Sequence, residues 1–296
     1  MTLSVANSSD EPVDQNTQRM ETVSLPEDRT VTYSRYGLPN GTPVLFFHGT
    51  PGSRRFAQLF DTIAGSTGVQ LLAIDRPGYG RSTPWPDRSV RDADQFVAPV
   101  LDDADADTAD IIAFSGGAPY AYATAATLPA RITRVDVVAG ATPPHLTDEQ
   151  PFVQQLLGGM ATTTPRLLSA AFRAQTWLAQ HQDPSFVVSQ YTSGDATDGV
   201  SERAAEIVHE DFLEAFTNHR SGVVTEFRHA ASRWDVDVEE IETPVRLWHG
   251  TNDTNVPLTT VRRLESVLPN ARLQVVNNAD HLQTVLRSVP EILEGY

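Results

Sequence analysis

The chain has 296 residues, with 38 Asp or Glu against 22 Lys or Arg, a net charge of -16 and no cysteine. The missing thiols exclude disulfides, thiolate catalysis and cysteine-ligated metals, and the charge repels phosphate, so nucleic acid is not an expected partner. No apolar run approaches the ~18 residues of a spanning helix, so a soluble chain without membrane insertion is expected.

Residues 1–20, MTLSVANSSDEPVDQNTQRM, have neither the basic start nor the apolar core of a signal peptide. They are expected to be a disordered polar lead, and the lack of an export signal implies a cytoplasmic protein. From residue 21 onward, short apolar runs bounded by turn residues alternate with helical patterns, which is the α/β signature. Strands are predicted over 30–36, 43–48, 70–75, 110–114, 134–139, 244–249 and 272–276, with an earlier one at 21–25. The runs VLFF, LLAI, IIAF and VDVV are apolar nearly throughout, as parallel strands covered by helices on both faces require. Helices are predicted over 55–64, 90–101, 118–127, 258–267 and 282–293.

The alternation breaks over 142–242, which contains no convincing strand and reads as a helical insertion between two halves of an α/β core, 21–141 and 243–296. Thr164-Pro165 starts one helix there, with Leu167, Ala171 and Leu178 on its apolar face. A second begins near Ser201, with Glu202 in its first turn and Ala204, Val208, Phe212, Ala215 and Phe216 as its stripe. Phe152, Phe172, Trp177, Phe186, Phe212 and Phe216 suit an apolar cover, and equally the packing of the insertion on itself. Every basic residue is Arg and none Lys. An acidic surface of this kind resembles that of proteins from salt-loving microbes, since molar salt shortens the Debye length to about 3 Å and relieves the self-repulsion.

The strand ending at Phe114 runs into Ser115-Gly116-Gly117 and then the small-residue helix AYATAAT. A serine at such a strand-to-helix turn needs small residues two positions away on either side, here Ala113 and Gly117, and exposes its hydroxyl at the carboxyl edge of the sheet above a helix N-terminus. A nucleophilic serine needs a base and a group that orients the base. His281 follows the last strand in VVNNADHL, and Asp253 follows the preceding one in LWHGTNDTNVP, so the three residues leave the same sheet edge in the order serine, acid, histidine. Asp280, adjacent to His281, is the rival acid. His249 is expected to be structural, and His145, His181, His209, His219 and His229 to be solvated or packed. For the oxyanion, the expected donors are the N–H groups of Gly116 and of Thr50, the latter in the loop His48-Gly49-Thr50-Pro51-Gly52-Ser53-Arg54.

FFHGTPGSR, AIDRPGYGRS, AFSGGAPYA, HGTND and NADHL together resemble the α/β-hydrolase superfamily from about Val23 onward. The resemblance implies an eight-stranded mostly parallel sheet with helices on both faces, a helical lid at 142–242, no cofactor, and hydrolysis through an acyl-enzyme. A small-molecule ester is the expected substrate. C–C bond hydrolysis, peracid formation and aminopeptidase activity also use the serine triad, and a binding protein without turnover is a further possibility. Epoxide and haloalkane cleavage need a carboxylate where Ser115 stands. Asp103, Asp105 and Asp107 lack the glycine and closing glutamate of a calcium loop, so no metal site is expected. Gly78-Tyr79-Gly80 is a turn rather than a dinucleotide fingerprint.

Overall fold

The computed structural model describes residues 20–146, 152–192 and 199–296. One sheet contains eight strands: β1 (Met20–Leu25), β2 (Arg29–Gly37), β3 (Thr42–Phe47), β4 (Val69–Asp75), β5 (Ala109–Phe114), β6 (Ile132–Val138), β7 (Val245–Gly250) and β8 (Ala271–Val276). Their spatial order is β1-β2-β4-β3-β5-β6-β7-β8. β2 is antiparallel to β1 and β4, and every pairing from β4 to β8 is parallel. Each strand end lies within two residues of the sequence expectation. In β4 and β5 every residue is buried, which is why those strands read as unbroken apolar runs. Each Leu or Ile so buried contributes about 1.5–3 kcal/mol.

Before the insertion the helices are α1 (Asp61–Ser66), α2 (Asp94–Asp103) and α3 (Ala118–Thr127). The helix expected over 55–64 is instead a 3-10 segment, Arg54–Phe60, that passes into α1. Its first N–H groups are claimed by carboxylates: Asp211 accepts from the N–H of Ser53 and Phe56, and Asp75 from that of Arg54. The 90–101 helix likewise opens as a 3-10 turn, Val90–Ala93, behind a capping box made by Ser89 and Asp92.

Between β6 and β7 lie α4 (Phe152–Thr163), α5 (Pro165–Ala179), α6 (Ser185–Val188), α7 (Glu202–Ala215) and α8 (Ser221–Ala230), with no strand among the described residues. Ser201 caps α7 by accepting from the Ala204 N–H, and the predicted stripe of α7 is buried. The predicted face of α5 is a correction: Leu167 and Leu178 are 60% and 42% exposed, and the buried side carries Leu168, Phe172, Thr176 and Ala179. α5 is apolar on two faces, and it is Phe172, stacked on Phe216 and Phe227, that decides which one turns inward. Trp177 is also exposed, so it covers nothing inside.

The chain ends with α9 (Leu258–Val267) and α10 (His281–Leu293). The polar lead expected over 1–20 lies outside the described residues except for Met20, which opens β1, and so does the side chain of Phe152. No helix among the described residues is long and apolar enough to cross a membrane.

Candidate active site

β3 lies between β4 and β5. The chain therefore leaves the carboxyl ends of β3 and β5 in opposite directions and opens a crevice there, where doubly wound sheets place ligands. Ser115 leaves β5 with a φ of 50°, in the left-handed region, a conformation that costs a non-glycine residue about 1 kcal/mol or more. The turn is tight enough that a Cβ on Gly117 would sit 2.7 Å from the Phe47 carbonyl oxygen and 2.9 Å from that of His48. Glycine is therefore required two residues after the serine, whereas the Ala113 methyl is accommodated in full burial.

The loops after β7 and β8 are pressed together. Asn252 N–H donates to the Ala279 carbonyl at 2.9 Å, and a Cβ on Gly250 would lie 2.2 Å from that oxygen. This approach brings Asp253 against His281, the first residue of α10. His281 Nδ1 is 2.7 Å from Asp253 Oδ2, and its Nε2 is 2.9 Å from Ser115 Oγ. A carboxylate only accepts, so Nδ1 carries the proton and Nε2 is left to accept from the serine. Asp253 Oδ1 accepts from the N–H groups of Asn255 and Val256. Burial pushes the Asp253 carboxyl up, but the neighbouring His281 and its hydrogen bond outweigh this and hold it below the ordinary carboxylate value. The imidazole packs against the rings of Phe114 and Tyr191, which also touch each other.

Asp280 is turned to another task, capping α10 by accepting from Gln283 N–H at 2.8 Å. His249 braces the acid loop, its Nε2 donating to the Val256 carbonyl at 2.9 Å. Thr50 and Gly116 are neighbours: a Cβ on Gly116 would lie 2.2 Å from Thr50 Oγ1 and 3.2 Å from Thr50 N. All five sequence-predicted site residues thus meet at one place, and Thr50, Ser115, Gly116 and His281 line a cavity of about 690 Å³ bounded by core residues and by α4, α5 and α8, with Asp253 behind the histidine.

The sequence reading missed the charged cluster behind this wall. Glu226 of α8 lines the cavity and is buried with Arg76, Arg88 and Tyr79. His229, one turn along α8, donates through Nε2 to the Arg88 carbonyl and so accepts at Nδ1 from Tyr120 Oη. Burial lowers the imidazole to about 4, which keeps it neutral. The segment AIDRPGYGRS was legible as a motif, but nothing in its spacing points to a carboxylate 150 residues downstream.

The fold and this arrangement define an α/β hydrolase. Residues 42–286 match the family described as alpha/beta hydrolase fold, and the chain belongs to it. An uncharacterized hydrolase of Bacillus subtilis, YcgS, is 23% identical over 90% of this chain and 92% of its own length. A 2-hydroxy-6-oxononadienedioate/2-hydroxy-6-oxononatrienedioate hydrolase of Cupriavidus pinatubonensis is 24% identical over 80% of each chain. Among solved structures, a thermophilic esterase from Thermogutta terrifontis superposes with a TM-score of 0.68 at 16% identity, covering 94% of this chain and 96% of that one. At that identity the likeness is one of fold.

Proposed function

We propose that the chain is a serine hydrolase that cleaves uncharged carboxylic esters, with Ser115 as nucleophile, His281 as general base and Asp253 as the residue that orients it. The observation that carries the reading is the unbroken chain of contacts from Asp253 through His281 to a serine in a strained turn, open to a cavity. Ser115 Oγ attacks the ester carbonyl carbon as its proton passes to His281 Nε2. The N–H groups of Thr50 and Gly116 hold the oxyanion. Collapse expels the alcohol, which takes the proton from His281, and leaves the acyl group on Ser115. Water, deprotonated by His281, then attacks the acyl carbon, and the serine leaves with that proton as the carboxylic acid forms. Residues 142–242 act as the lid over Ser115, for α4, α5 and α8 supply the side of the cavity opposite the sheet.

The named substrate of the Cupriavidus relative is a dicarboxylate, which favours C–C bond hydrolysis as a second reading. Against it, no Arg lines the cavity among the described residues, and its one carboxylate, Glu226, is already neutralised by two arginines. The two segments of the insertion outside the described residues, 147–151 and 193–198, TDEQP and SGDATD, contain no cation either. Among the described residues the cavity offers a dianion no arginine, whereas Leu157, Phe172, Phe227 and Trp234 suit an apolar acyl or alcohol group.

Nitrophenyl esters of increasing chain length, assayed in molar salt against Ser115→Ala, test the proposal. Turnover should fall by several orders of magnitude in the variant. Turnover that survives loss of the hydroxyl rejects Ser115 as nucleophile, and faster cleavage of a 2-hydroxy-6-oxo dienoate than of any ester rejects the substrate class.

A further inference from the structure

The Thr50 N–H belongs to the peptide that joins Gly49 to Thr50. That unit is planar, and in its trans form the C=O and N–H point in opposite directions, so whatever holds the Gly49 oxygen also aims the Thr50 N–H. Two groups hold it: Arg76 Nη2 at 3.0 Å and His48 Nδ1 at 2.7 Å. Arg76 Nη1 takes the preceding carbonyl, that of His48, at 2.5 Å. The guanidinium is fully buried and is itself fixed by a two-point ion pair with Glu226, Nε to Oε1 and Nη2 to Oε2, both at 2.7 Å. Glu226 Oε2 also accepts from the Thr50 hydroxyl at 2.5 Å and from Tyr79 Oη at 3.0 Å, and Oε1 accepts from Arg88 at 3.2 Å. Burial opposes the Glu226 charge, but Arg76 and Arg88 prevail and hold it down to about 2, so the pair stays ionised throughout the neutral range. Other carboxylates of the insertion grip the same loop further along, Asp211 at Ser53 and Glu214 at Arg54.

We propose that Glu226, on α8 of the insertion, is a positioning residue for the oxyanion site: it clamps Thr50 directly through the hydroxyl and, through Arg76, the peptide whose N–H receives the oxyanion. This rests on the serine-hydrolase reading of the same site. A hydrogen bond from a cation to one end of a peptide also polarises the donor at its other end, because bonds in a chain reinforce one another where water is excluded. The insertion is then part of the catalytic wall as well as a cover, and α8 cannot swing away without loosening the oxyanion donor.

The test compares Glu226→Gln, Thr50→Val and the double variant with the parent, each normalised to active sites counted with a phosphonate ester. Glu226→Gln should lower kcat about ten- to hundredfold with KM within about threefold, as expected when a donor acts mainly on the transition state. Thr50→Val keeps the N–H and the Arg76–Glu226 pair and removes only the hydroxyl link, and it should lower kcat in the same sense. The double variant should fall no further than Glu226→Gln alone, because the two residues act in one chain. A phenylboronic acid, whose adduct with Ser115 needs the same donors, should bind more weakly by the factor lost from kcat/KM.

An unchanged kcat in Glu226→Gln, a change confined to KM, losses that multiply in the double variant, or unaltered boronate affinity would each overturn the proposal. If Glu226→Gln does not fold, with two buried arginines unpaired, Thr50→Val decides alone, and full kcat in that variant overturns it. The two readings fail separately: activity that survives Ser115→Ala removes the hydrolase mechanism, whereas activity that needs Ser115 and ignores Glu226 removes only the positioning role.

Discussion

Replacing Asp253 by Asn changes one atom and reverses one hydrogen bond. In the parent, Asp253 Oδ1 accepts from two backbone N–H groups, those of Asn255 and Val256, at 2.8 and 3.0 Å, and Oδ2 faces His281 Nδ1 at 2.7 Å. An asparagine in this socket must put its carbonyl oxygen where the two N–H groups point, which turns its NH₂ toward His281. Nδ1 must then accept, the ring proton moves to Nε2, and Nε2 meets the Ser115 hydroxyl as a second donor that cannot take its proton. The same exchange in serine proteases lowers turnover about 10⁴-fold, equivalent to about 5.5 kcal/mol of barrier. Steady-state hydrolysis of a nitrophenyl ester should show that loss with the fold intact, and nitrogen NMR of the labelled imidazole should place the proton on Nε2. A loss under tenfold, or a proton still on Nδ1, would refute the account of how this loop sets the tautomer.

A methyl group at Gly116 would lie 2.2 Å from Thr50 Oγ1, so Gly116→Ala should drive the two donors apart and cost about 10²–10³ in kcat; equal kcat in the variant would remove Gly116 and Thr50 from the oxyanion site. Burial raises Asp211 to about 7, although it accepts hydrogen bonds from Ser53 and Phe56. The unfolded chain ionises near 3.8 while the folded chain keeps the proton to about 7, so this residue's contribution to stability is fully present at low pH and is lost as the pH rises through that window. Asp211→Asn should therefore make Tm decline less than the parent's between about pH 4 and 7, and parallel curves would contradict the shift. The charge of -16 with arginine as the only basic residue predicts a Tm that climbs from dilute buffer to about 1 M salt as self-repulsion is screened; a flat profile excludes a salt-adapted surface.

The strands, their order in the chain and the three loops of the site were legible in the sequence, because each is a local pattern. Buried parallel strands need runs such as LLAI, and a serine on a tight turn needs Gly117. Ser115, Asp253 and His281 follow strand ends, so the topology alone delivers them to one edge. Longer-range choices were decided only by tertiary packing. Leu167 and Phe172 are both apolar residues of one helix, and contact with Phe216 and Phe227, outside α5, determines which faces inward. Arg54 to Phe60 follows a helical pattern, yet carboxylates of β4 and α7 take its N–H groups and hold it as a 3-10 turn. Glu226 drew no expectation from the sequence. It is buried against Thr50 and Arg76 only because the chain folds α8 back over Arg76, 150 residues earlier, and a pairing across that separation leaves no periodicity for a sequence to display.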